Sequence, residues 1–424
     1  MSALADWEHN RPELRFSEFK TPWCRVYVRE LLSEPLSNGV FNDPKLVGSG
    51  YKLVNVKDMY GPEPIDTSTL SRVAIDKSEF IRNKVNYGDL FFTRSSLVKE
   101  GIAHSNVYLS EDEGVTFDGH LIRLRTRTDE CDPMFLHMLL KTNFARRQLV
   151  ARGKTGTMTT IGQSDIESVF LVLPSLPEQK KIADFLGAVN GKLAALREKE
   201  AALTRFKRGL MQALFSQTLR FTRDDGSSYP DWEEKCVGDL VLADSGYPVP
   251  GDEILETPTP TPLLRGVNIT EGRIRHSAEM DRYFGGELRD LERYLLQAGD
   301  VVIGMDGSKV GKNVAIISDR DAGAFLIQRV ARIQAAHEND LRYIYHHVTS
   351  NRFRQYVDRV NTSSGIPHIS LKQIREFPII RPHPDEQTKI ADALSAMDSK
   401  IQAVGDQIAQ LSAFKHGLLQ QMFV

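Results

Sequence analysis

The chain carries nearly the same nine residues twice, as EQKKIADFL at 178–186 and as EQTKIADAL at 386–394, 208 positions apart. The similarity extends without a gap from 173–216 to 381–424, where 19 of 44 aligned residues are identical. Shorter matches precede this segment in both halves: LRF (14–16 and 219–221), LVNV and GVNI (53–56 and 266–269), and GDL and GDV (88–90 and 299–301). A period near 210 residues is a domain duplication and not a solenoid repeat. The chain is therefore predicted to fold as two copies of one unit.

Each copy ends in a segment whose apolar residues recur at alternating spacings of four and three over five heptads, which predicts a long helix that packs along its length. The seam positions are Ile182, Leu186, Val189, Leu193, Leu196, Glu200, Leu203, Lys207, Leu210 and Leu214 in the first copy, and Ile390, Leu394, Met397, Ile401, Val404, Ile408, Leu411, Lys415, Leu418 and Met422 in the second. A helix of about 35 residues spans roughly 50 Å.

Two arrangements of these helices are open. In one, each helix simply covers its own domain, although a surface helix needs no such long and narrow seam. A pseudo-twofold axis would instead pair them as an antiparallel coiled coil with one globular domain at each end. Charged residues occupy seam positions in both helices, Glu200 and Lys207 in the first and Lys415 in the second. In an antiparallel pair they either face each other or lie at the frayed or partner-binding end, and the sequence does not decide between these places.

The segment before each helix reads as short strands followed by helices, so the fold class is α+β. The predicted strands are 53–56, 89–93, 106–109 and 120–125 in the first copy and 266–269, 300–304, 313–317 and 326–333 in the second. The predicted helices are 133–150 and 341–357. The resulting division is a tail at 1–10, globular domains at 11–172 and 218–380, and long helices at 173–217 and 381–424.

Composition limits the function classes. No run of about 18 apolar residues exists, so we expect no membrane association. The three cysteines are scattered without a CxxC pair, and the first residues lack the pattern of a secretory signal, so we expect a reducing, cytoplasmic location. A net charge of −2 means that any DNA-binding surface must be locally concentrated or completed by partner subunits.

Local basic clusters do occur, one in each copy, in the predicted domain helix and the polar loop that follows it. From Pro133 to Ser164 there is no acidic residue, and 351–375 carries five basic residues against one acid. Glycine lets backbone approach phosphate, and hydroxyl, amide and imidazole groups bond phosphates or base edges. A solvated helix face with an ordinary loop is the alternative, which the recurrence in both copies disfavours. The predicted DNA-binding residues are Arg94, Ser96, Lys99, Arg152, Lys154, Thr155, Thr157, Thr159, Arg265, Asn268, Asp306, Ser308, Lys309, Lys312, Ser363, Ser364, His368 and Lys372.

Motifs that would indicate catalysis fail on inspection. GSKVGKN at 307–313 has three residues between glycine and GK where a P-loop needs four, and Asn313 replaces the magnesium-binding hydroxyl. DPMF at 132–135 lacks the second proline of an amino-methyltransferase motif, and its counterpart at 340–343 has none. Asp132 is better explained as a helix N-cap with proline in the first turn. No zinc-ligand spacing is present. We expect neither a catalytic residue nor a bound metal or cofactor.

Taken together, ELRFSEF, the LVNV/GVNI and GDL/GDV pairs, IGMDGS, SSGIPHIS and LPEQKKIADFL resemble the specificity subunits of type I restriction–modification systems over essentially the whole chain. The resemblance implies two target-recognition domains that each read one half of a gapped DNA sequence, and an antiparallel helix pair that fixes the gap. It implies that the helices dock two methyltransferase subunits, which use S-adenosylmethionine to methylate adenine in each half-site. Motor–nuclease subunits would use ATP and Mg to translocate and cleave DNA.

Three other hypotheses are kept. A coiled-coil scaffold whose globular ends bind proteins would show little salt-dependent DNA affinity. A standalone enzyme is disfavoured by the missing cofactor and nucleotide motifs. A fused or atypical restriction system would keep the DNA role and change the partners.

Overall fold

The computed structural model describes residues 12–41, 44–336, 338–361 and 367–423. These residues form two compact units. Unit 1 comprises residues 1–197 together with 406–424, and unit 2 comprises the uninterrupted segment 198–405. Each unit thus contains one globular domain, the adjoining half of one long helix and a piece of the other long helix.

Unit 1 is a mixed domain of short strands and helices. Its strands are β1 Cys24–Tyr27, β2 Ser37–Asn38, β3 Val47–Val54, β4 Ser71–Val73, β5 Leu90–Thr93, β6 Ser95–Ser96, β7 Ser105–Val107, β8 Val115–Phe117, β9 Leu121–Leu124, β10 Lys154–Thr155, β11 Thr159–Thr160 and β12 Phe170–Leu173. Its helices before the long one are α1 Lys77–Arg82, α2 Pro133–Leu140, α3 Asn143–Arg152 and α4 Gln163–Glu167. The first long helix is α5 Leu176–Phe215.

Unit 2 repeats this plan. Its strands are β13 Glu233–Cys236, β14 Val241–Ser245, β15 Ile254–Leu255, β16 Leu263–Leu264, β17 Ile269–Thr270, β18 Arg273–Ile274, β19 Tyr283–Phe284, β20 Val301–Gly304, β21 Val314–Ile316, β22 Phe325–Leu326, β23 Val330–Ala335 and β24 Pro378–Arg381. Its helices are α6 Leu341–Val348, α7 Asn351–Val360 and α8 Leu371–Arg375, and the second long helix is α9 Pro384–Gln421.

The central sheets confirm the duplication. In unit 1 the order is β2-β9-β5-β7, and in unit 2 it is β14-β23-β20-β21, so the same three-strand core recurs with antiparallel pairing. In both units a separate two-stranded sheet joins the first and last strands of the domain, β1 with β12 and β13 with β24. The fold is the predicted α+β class with two tandem domains and two long helices.

The long helices pair in antiparallel fashion, as the heptad seam predicts. In unit 1 the early part of α5 shares one buried core with the last turns of α9, through Ile182, Leu186, Leu418 and Met422. In unit 2 the late part of α5 shares a core with the early part of α9, through Leu214, Ile390 and Leu394. Early residues of one helix thus meet late residues of the other in both places.

The charged seam residues lie within this pairing. In unit 2 Lys207 donates to Asp398 on α9 at 2.5 Å, and a side chain added at Gly405 would lie 3.1 Å from Glu200. In unit 1 Lys415 lines a cavity of about 630 Å³ together with Glu63, Lys141 and Asn190. Burial is the largest cause that lowers the pKa of Lys415. The seam cations therefore face the partner helix or the domain, and not a frayed end.

The repeated Glu-Gln pair of the nine-residue motif anchors each helix to its domain. Glu178 is fully buried at the start of α5, where it accepts two hydrogen bonds from Arg15 at 2.7 and 2.8 Å and one from the indole N–H of Trp23 at 3.3 Å. The bond to Glu178 raises the pKa of Arg15. Gln179 accepts from the backbone N–H of Asp132 and donates to Pro174. A carboxylate also suits the positive end of a helix.

The second copy repeats this anchor. Glu386 accepts from Arg220 at 3.1 and 2.9 Å and from the indole of Trp232 at 2.8 Å. Gln387 accepts from the backbone of Asp340 and donates to Pro382. The LRF, Trp and EQ matches in the sequence are thus the parts of one contact, made twice.

The GD repeat is explained by a turn before the central strand. Gly88 and Gly299 have φ values of +90° and +91°, a region that L side chains rarely adopt. The aspartate that follows each glycine accepts from the backbone three residues earlier, Asp89 from Asn86 and Asp300 from Gln297. The motif is therefore structural.

Several expected elements differ from those observed. The predicted strand 266–269 is wrong, because Gly266–Asn268 forms a 3-10 turn closed by the Asn268 side chain. The predicted strand 53–56 ends at Val54 and turns into the 3-10 helix Val56–Tyr60. The predicted strand 326–333 breaks at Arg329, which has φ +67°. Both predicted domain helices break because Thr142 and Ser350 cap a second helix instead of continuing the first.

Candidate nucleic-acid interface

In unit 1 many of the predicted DNA-binding residues meet on one small sheet, β10-β11-β6, which with its turn at 156–158 is called the tip sheet. Lys154 pairs with Thr160, and Thr159 pairs with both Thr155 and Ser96. The turn is closed by the Gly156 N–H, which donates to the Met158 carbonyl at 3.1 Å. The structure thus brings together loops that lie about 60 residues apart in the sequence.

The tip sheet and the residues that flank β6 present exposed polar and basic groups. Arg94, Lys99, Thr155 and Thr157 are exposed. The side chain of Lys154 is 78% exposed, and its nearest carboxylate, Asp165, is 3.6 Å away. Ion pairs at such exposure contribute little, so Lys154 is not held by Asp165 and can reach an external phosphate.

Two predicted residues of unit 1 are committed inside the fold. The guanidinium of Arg152 donates to the Ser168 hydroxyl and carbonyl and to the Gln148 carbonyl. Thr159 is buried, and its hydroxyl lies 3.2 Å from that of Thr155. Both side chains hold the tip sheet and its supporting helix in place, so we assign them a positioning role.

Arg146 holds the loop that carries Ser96 and Lys99. The sequence prediction of site residues did not include it. Its guanidinium donates to the carbonyls of Glu100, Ile102 and Ala103 at 2.7–2.8 Å. Burial lowers the pKa of Arg146. Arg146 lies in a stretch without acidic residues, but its neighbours share that sequence signal, so the signal does not single it out.

In unit 2 the equivalent loop follows β20 and lies beside the segment at 367–369. Asp306 pairs with His368, and the Gly307 N–H donates to the Pro367 carbonyl at 3.0 Å. Ser308, Lys309, Lys312 and His368 are exposed. Asp306 accepts from Arg329 at 2.9 Å, and the side chain of Arg329 is 67% exposed. The predicted residues of this loop and His368 are therefore neighbours, and Arg329 joins them although the sequence prediction missed it.

The remaining predicted residues of unit 2 are spread more widely. Asn268 is buried and donates to the Arg275 carbonyl and to Asp281, so it maintains its turn. Arg265 is half-buried and donates to the Met280 carbonyl at 3.3 Å. Lys372 lies on α8 with its side chain 83% exposed. Ser363 and Ser364 lie outside the described residues.

The described part of the chain also bears on other functional classes. It holds no group of three or more histidine, cysteine or acidic side chains placed to bind a metal ion. Among its helices, none has the length and apolar character needed to cross a bilayer. The two units do share exposed basic and polar loops at equivalent places, which is the arrangement that a nucleic-acid interface requires.

The chain was compared with known proteins. A family model described as "Type I restriction modification DNA specificity domain" matches residues 45–205 and 229–413. The chain is similar to the type I restriction enzyme MjaVIII specificity subunit of Methanocaldococcus jannaschii, with 23% identity over 312 residues that cover 70% of this chain and 71% of the relative. It is also similar to the EcoAI specificity subunit of Escherichia coli, with 30% identity over 184 residues, 40% of this chain and 28% of the relative.

Solved structures agree with the fold. The crystal structure of the type I restriction-modification S subunit from M. genitalium superposes with a TM-score of 0.64 at 16% sequence identity, covering 98% of this chain and 99% of that one. A second structure, described as showing complex assembly and conformational transition of the type I R-M system, has a TM-score of 0.52 at 15% identity and covers 96% of this chain and 98% of that one.

Proposed function

The chain belongs to the type I restriction–modification DNA specificity family, and from this premise we propose that each of its two units reads one half of a gapped, bipartite DNA target. Its role in the family is DNA sequence recognition, and it is a non-catalytic subunit. We propose residues 11–172 and 218–380 as the two target-recognition domains.

The observation that carries the proposal is the contrast between repeated and unrepeated parts. The helix anchors of Glu178 and Glu386 are the same, whereas the exposed loops differ in residue type from one unit to the other. Loops on a rigid scaffold are the usual carriers of recognition. Two different reading surfaces on one duplicated frame suit two different half-sites.

We propose as the DNA contacts the polar residues of these loops whose side chains are exposed or half-buried and not committed inside the fold. In unit 1 they are Arg94, Ser96, Lys99, Lys154, Thr155 and Thr157. In unit 2 they are Arg265, Asp306, Ser308, Lys309, Lys312, His368 and Lys372, with Ser363 and Ser364 kept from the sequence prediction. Lysine and arginine neutralise phosphates, and an aspartate can accept from the cytosine N4 amine. Because Asp306 already accepts from Arg329, base contact would exchange or share that bond.

The proposed partners follow from the family. Two methyltransferase subunits would dock on α5 and α9 and use S-adenosylmethionine, and motor–nuclease subunits would use ATP and Mg. A target adenine must leave the duplex stack to be methylated, and the methyltransferase pocket would receive it. We propose no cofactor on this chain. The helix pair would set the length of the gap.

The first experiment maps methylated adenines genome-wide by single-molecule sequencing, in cells that express this chain with its cognate methyltransferase and in cells that lack it. A gapped two-part motif that disappears with the gene supports the proposal and gives the target. An unchanged methylome, with the methyltransferase shown to be active, favours the coiled-coil scaffold. Direct titration of DNA at several salt concentrations then decides, because the scaffold predicts little salt-dependent affinity.

A second experiment assigns units to half-sites. Lys154→Ala combined with Thr157→Ala should weaken recognition of one half-site about tenfold and leave the other unchanged. Lys309→Ala combined with Ser308→Ala is the matched pair and should act on the other half-site. Equal loss at both half-sites would contradict the assignment of one domain to one half-site.

A further inference from the structure

The tip sheet of unit 1 and the loop that follows β6 expose apolar side chains among their polar groups. Leu97 is 84% exposed, Val98 is 60% exposed and Met158 is 40% exposed. Thr159 pairs with Ser96; Met158 directly precedes Thr159 and Leu97 directly follows Ser96, so both apolar residues adjoin the same strand pair. Leu97 is the most exposed of the large apolar side chains in the described residues.

This apolar pair stands on a rigid base. Arg146 fixes the carbonyls of Glu100, Ile102 and Ala103. Gly101 allows the loop to close tightly, since an added Cβ would lie 2.5 Å from the Ser96 hydroxyl. Gly153 does the same on the other strand, since an added Cβ would lie 2.8 Å from a Thr159 methyl group. The exposure of Leu97 is thus built into the loop.

Apolar side chains that are grouped on a fixed surface mark a binding contact more often than apolar side chains that are scattered singly. Here the surroundings restrict the partner, because Arg94, Lys99 and Lys154 are exposed on the same sheet and its adjoining loop and suit phosphates. The major groove of DNA admits a two-stranded β-ribbon, and its one apolar group is the 5-methyl of thymine. A leucine flanked by a methionine and lysines fits that environment.

We propose that Leu97, with Met158 beside it, is a specificity-determining contact of unit 1 with the 5-methyl group of a thymine in its half-site. This inference rests on the proposed function and adds to it the chemical class of base contact. The described part of the equivalent loop in unit 2 carries the polar residues Ser308 and Lys309 at exposed positions and a half-buried Asp306, and its apolar Val310 packs against the core. The thymine-methyl contact therefore belongs to unit 1.

The test uses the full chain co-purified with its modification subunits and a duplex that carries the mapped target. Each thymine of both half-sites is replaced in turn by deoxyuridine, which removes only the methyl group. For the unchanged protein, affinity should fall about fourfold at one position of the unit 1 half-site, as the burial of one methyl group predicts. Leu97→Ala should bind the thymine and uracil duplexes equally. Ile81→Ala, which truncates another exposed apolar residue of unit 1 (63% exposed), should keep the difference.

Three outcomes would overturn the inference. One is an unchanged affinity for uracil at every thymine of the half-site. Another is a Leu97→Ala protein that still prefers thymine at the affected position. A third is weaker binding by Leu97→Ala with no uracil effect, which would make the leucine a wedge between base steps instead of a methyl contact. If the unchanged complex does not distinguish the target from a scrambled duplex, the proposed function itself fails.

Discussion

The two units hold their helices with the same residues and present different residues at their exposed loops. In unit 1 the anchor is Arg15 and Glu178, and in unit 2 it is Arg220 and Glu386, each with a tryptophan N–H on the same carboxylate. The exposed loop of unit 1 offers an apolar pair with lysines, while that of unit 2 offers an aspartate, an arginine and a histidine. The duplicated chain has kept the contact that both units need, whereas its exposed loops differ between the units.

The largest expected effect concerns the anchors. Glu178→Ala removes the acceptor for Arg15 and leaves that guanidinium, only 13% exposed, without its ion-pair partner. Loss of one member of a buried ion pair costs about 3–5 kcal/mol. Hydrogen–deuterium exchange should therefore show faster exchange at the start of α5 and in the residues around Trp23, with unit 2 unchanged.

Glu386→Ala should give the reciprocal result, with faster exchange at the start of α9 and around Trp232. Glu198→Ala is the control, because it truncates an exposed glutamate in the middle of α5. If either anchor variant increased exchange in both units equally, the two anchors would not be independent, and the view that each anchor stabilises only its own unit would be wrong.

The second prediction concerns acid stability, in which the units differ. His346 and His347 are buried in unit 2, and burial lowers the pKa of each to about 3. Lys207 and Arg342 add to the lowering at His346, and Arg352 at His347. Unit 1 has Met138 and Leu139 at the equivalent places and a single buried His137 whose pKa is also lowered, mainly by burial.

The unfolded histidines take up protons below about pH 6.5, whereas the folded ones do so only near pH 3. The stability present above pH 6.5 is therefore lost as the pH falls, by about 1.4 kcal/mol per pH unit for each histidine. At pH 5 this is about 2 kcal/mol per histidine, so unit 2 should lose protection from exchange before unit 1.

The variant His346→Met with His347→Leu gives unit 2 the residues of unit 1 and should remove most of this pH dependence. The cost at neutral pH should be small, because among the described residues His346 Nδ1 and His347 Nε2 have no hydrogen-bond partner, and methionine gives up only the contact of His346 Nε2 with the Ser395 hydroxyl at 3.3 Å. An acid response of unit 2 that survives this replacement would assign it to other groups.

The smallest effect concerns the seam lysines. Lys207 has Asp398 on the opposite helix, whereas Lys415 has Asn190 at the equivalent place and shares its cavity with Glu63. Asp398→Asn should destabilise unit 2 by about 1 kcal/mol, since the pair is partly exposed. Asn190→Asp should raise the lowered pKa of Lys415 and stabilise unit 1 by a similar amount. Thermal unfolding of both variants and of their combination would measure how stability changes when the carboxylate is moved from one helix pairing to the other.

Much of the fold could be predicted from the sequence because its signals are local and repeated. The heptad seam predicted both long helices, and the strand at 89–93 is found at Leu90–Thr93. The strand predicted at 266–269 was wrong because Asn268 bonds its own turn, and side chains of this kind compete with the strand ladder. Thr142 and Ser350 interrupt the domain helices for the same reason.

The candidate site was less predictable, because sequence does not show which polar groups are already bonded. Arg152 and Asn268 look like DNA contacts by residue type, but both are bonded within the fold. Leu97 was overlooked because an apolar residue in a short run is ordinarily part of a core, and its exposure follows from the sheet register and from Arg146. Both facts depend on contacts between segments tens of residues apart.

The division of the chain into an uninterrupted unit 2 and a split unit 1 has a consequence for biosynthesis. As the polypeptide leaves the ribosome, unit 2 has all of its residues once Gly405 has been made, whereas the core of unit 1 still lacks Leu418, Met422 and Phe423. Domains usually fold in the order of their synthesis. Here the core of the domain that is made first is complete only after the last turns of the second long helix have been made.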